Sequence, residues 1–208
     1  LKNAPILILD EATSSLDTSR SAIANHTPTS TNAAIAITPP KKTLLQKIFN
    51  KDPCSGSTSE LYQCYRTYYT DLVIKKDVEA ALADLHKQYN KNDPFIVSQC
   101  HQIVHIIGRA AVTKYPTAAE AYRHGDGLCW SGYYHGVMEG IMSAVGRDNI
   151  SENMNNICEL IPGKAQYSFD YYNCVHGLGH GVMFVRNNEV FDSLKMCDFL
   201  TGHWEKSS

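Results

Sequence analysis

Five histidines and one glutamate in the second half of the chain have the spacing of metal ligands carried on helices. They form three pairs with members four residues apart: His101 with His105, His135 with Glu139, and His176 with His180. On a helix, such pairs project from one face about one turn apart. Imidazole nitrogens and carboxylates are common transition-metal ligands. If three helices bring the pairs together in a bundle interior, we expect a site for zinc or iron.

Two of these pairs belong to a duplicated motif. Residues 129–138 read CWSGYYHGVM and residues 174–183 read CVHGLGHGVM, so six of ten positions are identical at an offset of 45. A second similarity links residues 158–163 to residues 197–202, at an offset of 39. Both offsets suit a helical hairpin, which predicts repeat units of about 40–45 residues. The second unit would continue past residue 208, so we expect the natural chain to extend further.

The histidines have other interpretations. Gly177 and Gly179 disfavour a regular helix between His176 and His180. One alternative therefore places this pair on either side of a loop that enters a helix near Gly179. A second alternative gives His135 and His180 a structural role at helix starts, and a third makes either of them an acid–base catalyst.

The seven cysteines are a further signal. They form no Cys-x2-Cys pair, which disfavours a zinc ribbon, a thioredoxin-type motif and a c-type haem site. Cys158 and Cys174 flank a Pro162-Gly163 turn, so a disulfide across a helix pair is predicted. The further candidates, by elimination, are Cys54 with Cys64 and Cys100 with Cys129. Disulfides would place the protein outside the reducing cytoplasm, whereas the alternative is that the cysteines are buried thiols.

Helical periodicity begins at residue 43 and predicts an all-α domain built of helical hairpin repeats. Asp77 has the position of an N-cap for a helix that runs to Tyr89. Pro94 has the position of a first-turn residue for a helix from Phe95 to Tyr115. No alternating strand pattern follows residue 43, so we expect helices to position the histidine pairs.

The bulk composition excludes some classes of protein. The net charge of -2 and the pI near 6.5 disfavour a nucleic-acid partner. The longest apolar runs are far shorter than the ~20 residues of a membrane span. The first twenty residues also lack the basic start and apolar run of a signal peptide. A protein partner on the repeat surface remains the expected kind of macromolecular partner.

The first 17 residues carry a different signal. They read LKNAPILILDEATSSLD, an apolar run that ends in Asp10 and Glu11. This segment resembles the Walker B strand and D-loop of ABC-transporter ATPases. The resemblance implies that Asp10 holds the Mg²⁺ shell, that Glu11 polarises the attacking water, and that Ser15 to Asp17 contact a partner subunit. The sequence contains no G-x4-G-K-[ST] phosphate loop, so we expect no ATP hydrolysis by this chain alone.

These patterns divide the chain into three segments. Residues 1–20 are interpreted as an orphan ABC-ATPase-like segment, residues 21–42 as a disordered linker rich in Ser, Thr, Ala and Pro, and residues 43–208 as the Cys/His-rich helical domain. The leading hypothesis is a helical-repeat domain with a structural or interaction role that binds metal. The alternatives are a metal-dependent enzyme that uses the histidine pairs and an ABC-transporter ATP-binding fragment, inactive alone.

Overall fold

A computed structural model describes residues 53–54 and 61–207, and every regular element within them is a helix. The prediction of an all-α domain is therefore confirmed. The ABC-ATPase-like segment and the proposed linker lie outside the described residues. Among the helices that are described, none is long and apolar enough to cross a bilayer.

The described α-helices follow one another with short connections. They are α1 (Leu61–Lys75), α2 (Val78–Tyr89), α3 (Pro94–Ala111), α4 (Ala118–Tyr122), α5 (Gly132–Val145), α6 (Ile150–Ile157), α7 (Phe169–Val185), α8 (Val190–Met196) and α9 (His203–Ser207). Short 3-10 turns occur at Arg147–Asn149, Lys164–Gln166 and Cys197–Phe199.

Local sequence signals fix several helix ends. The Asp77 carboxylate accepts a hydrogen bond from the Ala80 amide at 2.7 Å and so caps α2, as its position predicted. Pro94 lies in the first turn of α3. The prediction that this helix reaches Tyr115 was wrong, because α3 ends at Ala111 and the chain continues in turns. Tyr115 precedes a proline, and a residue in that position is disfavoured in the helical conformation.

Three long helices form the layer that carries the histidines. The middle helix, α5, packs against α3 on one side and α7 on the other. Gly136 permits the close approach of α5 to α3, since a Cβ atom there would lie only 2.2 Å from the His105 carbonyl oxygen. Gly181 does the same for α7, where a Cβ atom would lie 2.9 Å from the Met138 carbonyl oxygen. Helices α1 and α2 pack against α3, and α8 packs against α7.

Three disulfides link helices to neighbouring segments, two of them in the histidine-bearing layer and one at α1. They join Cys54 to Cys64, Cys100 to Cys129, and Cys158 to Cys174, with Cα–Cα distances of 5.9, 5.8 and 5.9 Å. These are the pairs predicted from the sequence, and Cys197 is a free thiol. Disulfides are consistent with an oxidising, extracytoplasmic location.

The two copies of the duplicated motif share a helical half and differ at the cysteine. Residues 132–138 and 177–183 are helical in both copies. Cys129, however, begins a turn of three consecutive left-handed residues before α5, with φ of 53°, 57° and 61°. Cys174 instead lies inside α7, which starts five residues earlier. The expected loop near Gly179 was therefore wrong, because α7 is continuous through both glycines. The repeat architecture itself stays a prediction.

Candidate metal centre

Five histidines meet where α3, α5 and α7 pack together. His135 on α5 lies between the α3 pair, His101 and His105, and the α7 pair, His176 and His180. We call His101, His105 and His135 the α3 group, and His135, His176 and His180 the α7 group. Within each group, one nitrogen per ring lies within 4.8 Å of the others. The structure thus brings together five of the six predicted ligands.

Hydrogen bonds behind the α3 pair orient both rings. His101 Nδ1 donates to the carbonyl oxygen of Cys129 at 2.7 Å, and His105 Nδ1 donates to the Glu139 carboxylate at 2.9 Å. A carbonyl or a carboxylate can only accept, so these bonds place the hydrogen of each neutral ring on Nδ1. In each neutral ring, Nε2 is then the nitrogen that carries the lone pair. Partners of this kind behind metal-binding histidines fix the ring and raise its basicity.

The two Nε2 atoms of the α3 pair lie 3.0 Å apart. In neutral rings with hydrogen on Nδ1, both atoms present lone pairs, and two facing lone pairs repel each other. A cation between them removes the repulsion. The corresponding Nε2 atoms of His176 and His180 lie 3.2 Å apart. Two ligands of a tetrahedral zinc ion, each bonded at 2.0–2.1 Å, are about 3.3 Å apart, so both spacings fit chelation of one ion.

Glu139 does not lie among the ligand atoms. One of its oxygens accepts from His105 and the other forms an ion pair with Arg109. Burial disfavours ionisation of Glu139, but the hydrogen bonds from His105 and Arg109 and the charge of Arg109 outweigh this effect, and the pKa of Glu139 is lowered. Glu139 is therefore an ionised carboxylate that supports His105 from behind. Spacing alone could not distinguish this role from ligation.

Burial differs across the site. His105 and His135 are 5% and 4% exposed, whereas His101, His176 and His180 are half-buried. Burial is also the main reason that the pKa of His105 is lowered, since an imidazolium would lose its hydration there. The neutral form of His105, which metal binding requires, is thus favoured.

Aromatic rings surround the α7 pair. The His180 ring stacks on His135 with centroids 4.0 Å apart, and Tyr172 stacks on His176 with centroids 5.7 Å apart. Tyr172 is 40% exposed, so the α7 pair lies near the surface.

Three further histidines in the described part of the chain lie away from this site. The exposed His86 contacts Asp126, and the half-buried His124 contacts Glu79. His203 is exposed near the end of the chain. It therefore offers a control position for experiments on the cluster.

No protein-family model, curated protein or solved structure matches this chain. Any functional assignment therefore comes from the chemistry of the site.

Proposed function

We propose that this domain is an extracytoplasmic metal-binding module that holds one Zn²⁺ ion through imidazole nitrogens of α3, α5 and α7. The observation that carries the proposal is the 3.0 Å approach of the Nε2 atoms of His101 and His105. Both rings direct Nδ1–H away from the site, so in the neutral rings both Nε2 lone pairs face one position, which a cation would fill.

The ligand chemistry favours zinc. Within residues 53–54 and 61–207, the groups that could bind an ion contain only imidazoles. The nearby Cys100 and Cys129 are joined in a disulfide and cannot act as thiolates. Imidazole suits Zn²⁺, Cu²⁺, Ni²⁺ and iron. Three imidazole nitrogens within 4.8 Å of one another would leave a fourth position open for water, as in zinc sites with three protein ligands. Iron is the alternative that the sequence predicted.

The shared ligand favours one ion at a time. Both groups need His135, and two divalent cations bound beside one imidazole ring would repel each other. The carboxylate of Glu139 is already paired with Arg109. We therefore expect one zinc ion per chain, although two groups of ligands are present.

The test is metal analysis of the full 208-residue chain, purified with its disulfides intact, stripped with a chelator and reloaded with Zn²⁺. We expect about one zinc per chain at saturation. His135→Gln removes a ligand from both groups and should abolish tight binding, whereas His203→Gln should leave it unchanged. Parallel loading with Fe²⁺ and Cu²⁺ compares the ions. Less than roughly 0.2 metal ion per chain with every ion tested would refute the proposal.

A further inference from the structure

The two groups of histidines are not equivalent, and the structure assigns them different tasks. Resting on the proposed zinc function, we propose that His176 and His180 are the entry site for the ion. His135 then passes the ion to His101 and His105, which hold it. The α7 group is thus a path to the site, and the α3 group is the resting position.

The first support is the shared ligand. His135 belongs to both groups, and its ring centroid lies 4.0 Å from that of His180 and 5.5 Å from that of His105. An ion that moves between the groups therefore stays beside the His135 ring while it exchanges the other ligands. Each step replaces one imidazole by another, so the ion is never released to water during the transfer.

The second support is access. Both members of the α7 pair are half-buried and lie beside the partly exposed Tyr172, whereas His105 is buried. A hydrated ion therefore meets the α7 pair without any rearrangement of the helix layer. His101 is half-buried as well, so a direct route through His101 is the competing path, and the kinetic experiment below separates the two routes.

The third support is that hydrogen bonds already orient the rings of the α3 pair for metal binding. The Cys129 carbonyl and the Glu139 carboxylate accept from the Nδ1 atoms of His101 and His105. Such partners typically strengthen metal binding by about 10–100-fold. The negative charge of Glu139 also lies next to the α3 group. These bonds and the nearby carboxylate stabilise an ion that is held in the α3 group.

The proposal makes a kinetic prediction that a simple binding site does not share. Microscopic reversibility requires that an entry path also be the exit path. In the full chain, His176→Gln with His180→Gln should therefore slow association and dissociation together, each by about tenfold or more, and change Kd by less than roughly threefold. His101→Gln with His105→Gln should instead raise Kd by about 100-fold or more while association stays fast.

The measurement is stopped-flow mixing of the chelator-stripped chain with Co²⁺, whose visible absorption reports coordination, followed by Zn²⁺ competition for Kd. His203→Gln is the control for loss of an unrelated imidazole, and circular dichroism checks that each variant is folded. An unchanged association rate in the α7 double variant would overturn the entry path and leave zinc binding intact. A similar rise in Kd in both double variants would also overturn it, because both pairs would then be holding ligands. Failure of the unmodified chain to bind Zn²⁺ would instead refute the proposed function.

Discussion

The contact between α3 and α5 gives the sharpest test of the site's geometry. We predict that Gly136→Ala disturbs both stability and zinc binding, whereas Gly179→Ala does neither. Both glycines lie within helices and next to a cluster histidine. A Cβ atom at Gly136 would lie 2.2 Å from the His105 carbonyl oxygen, while one at Gly179 would have no neighbour within 4 Å. The two substitutions therefore add the same methyl group in opposite surroundings.

The expected magnitudes follow from these distances. Ordinary contact with a Cβ atom begins at 3.4 Å, so the backbones at Gly136 must separate by about 1.2 Å (3.4 minus 2.2), because the atom that it meets is a carbonyl oxygen of a neighbouring helix. Overpacking of this kind costs about 1–3 kcal/mol, and alanine regains about 1 kcal/mol through its helix propensity. At Gly179 the added Cβ atom meets no neighbour, so only the gain in helix propensity remains. The gain is common to both variants, so they should differ by the overpacking cost of about 1–3 kcal/mol, or roughly 2–12 °C in Tm.

The assay is thermal unfolding of both variants, with and without Zn²⁺, together with zinc competition titration. A shift of α3 against α5 separates His105 from His135 by far more than the ~0.2 Å that metal–ligand bonds tolerate, so Gly136→Ala should weaken zinc binding by at least about tenfold. Gly179→Ala should bind zinc like the unmodified chain. Equal Tm values and equal zinc affinities in the two variants would show that α3 and α5 are not packed as described.

The remaining predictions concern the supports of the site and the outer helices. Joint replacement of Cys100 and Cys129 by serine should cost about 3–4 kcal/mol in urea unfolding, from the loop that the disulfide closes. It should also weaken zinc binding about tenfold. Unchanged zinc affinity would show that the turn before α5 keeps its shape unaided. Arg109→Met leaves the ionised Glu139 without its cation and should cost about 2 kcal/mol in urea unfolding, less than for a fully buried pair because the arginine is partly exposed; no loss would mean that the pair is not formed in solution. Burial, with a neighbouring aspartate, raises the pKa of Tyr68 from 10.0 to about 12. Folding thus favours the protonated form of Tyr68. The resulting contribution to the free energy of unfolding is complete below pH 10 and is lost between pH 10 and 12. Urea unfolding at pH 9 and pH 11 measures that loss, and equal stabilities would contradict the assignment.

Sequence spacing predicted which histidines meet, because helical periodicity fixes the direction of residues four apart. The positions of His101 and His105 on α3 needed only a helix without interruption, which the capping Asp93 and the following Pro94 provide. The disulfide between Cys158 and Cys174 was predictable for a similar reason. A turn between two helices leaves few other partners within reach.

Other features depend on tertiary packing and could not be predicted from spacing. Glycine propensity suggested a break in the helix between His176 and His180, yet Gly177 is buried against Met138 and α7 continues. Burial against a neighbouring helix here outweighs a propensity cost of about 1 kcal/mol per glycine. The Glu139 carboxylate has helical spacing from His135 but points to His105 on the neighbouring helix. Spacing within one helix contains no information about that neighbour.

The glycines and histidines that are identical in both copies of the duplicated motif have a common physical explanation. In the first copy, Gly132 leaves room for His101, whose ring would lie 2.9 Å from a Cβ atom there. In the second copy, the corresponding Gly177 leaves room for Met138, whose Cγ would lie 2.7 Å away. Each copy thus uses its first glycine to bring its helix against the preceding one, α5 against α3 and α7 against α5. The histidine three residues later lies in the interface that this contact creates. Close packing and ligand placement are consequently encoded together, and a substitution that opens the packing should also weaken the metal site.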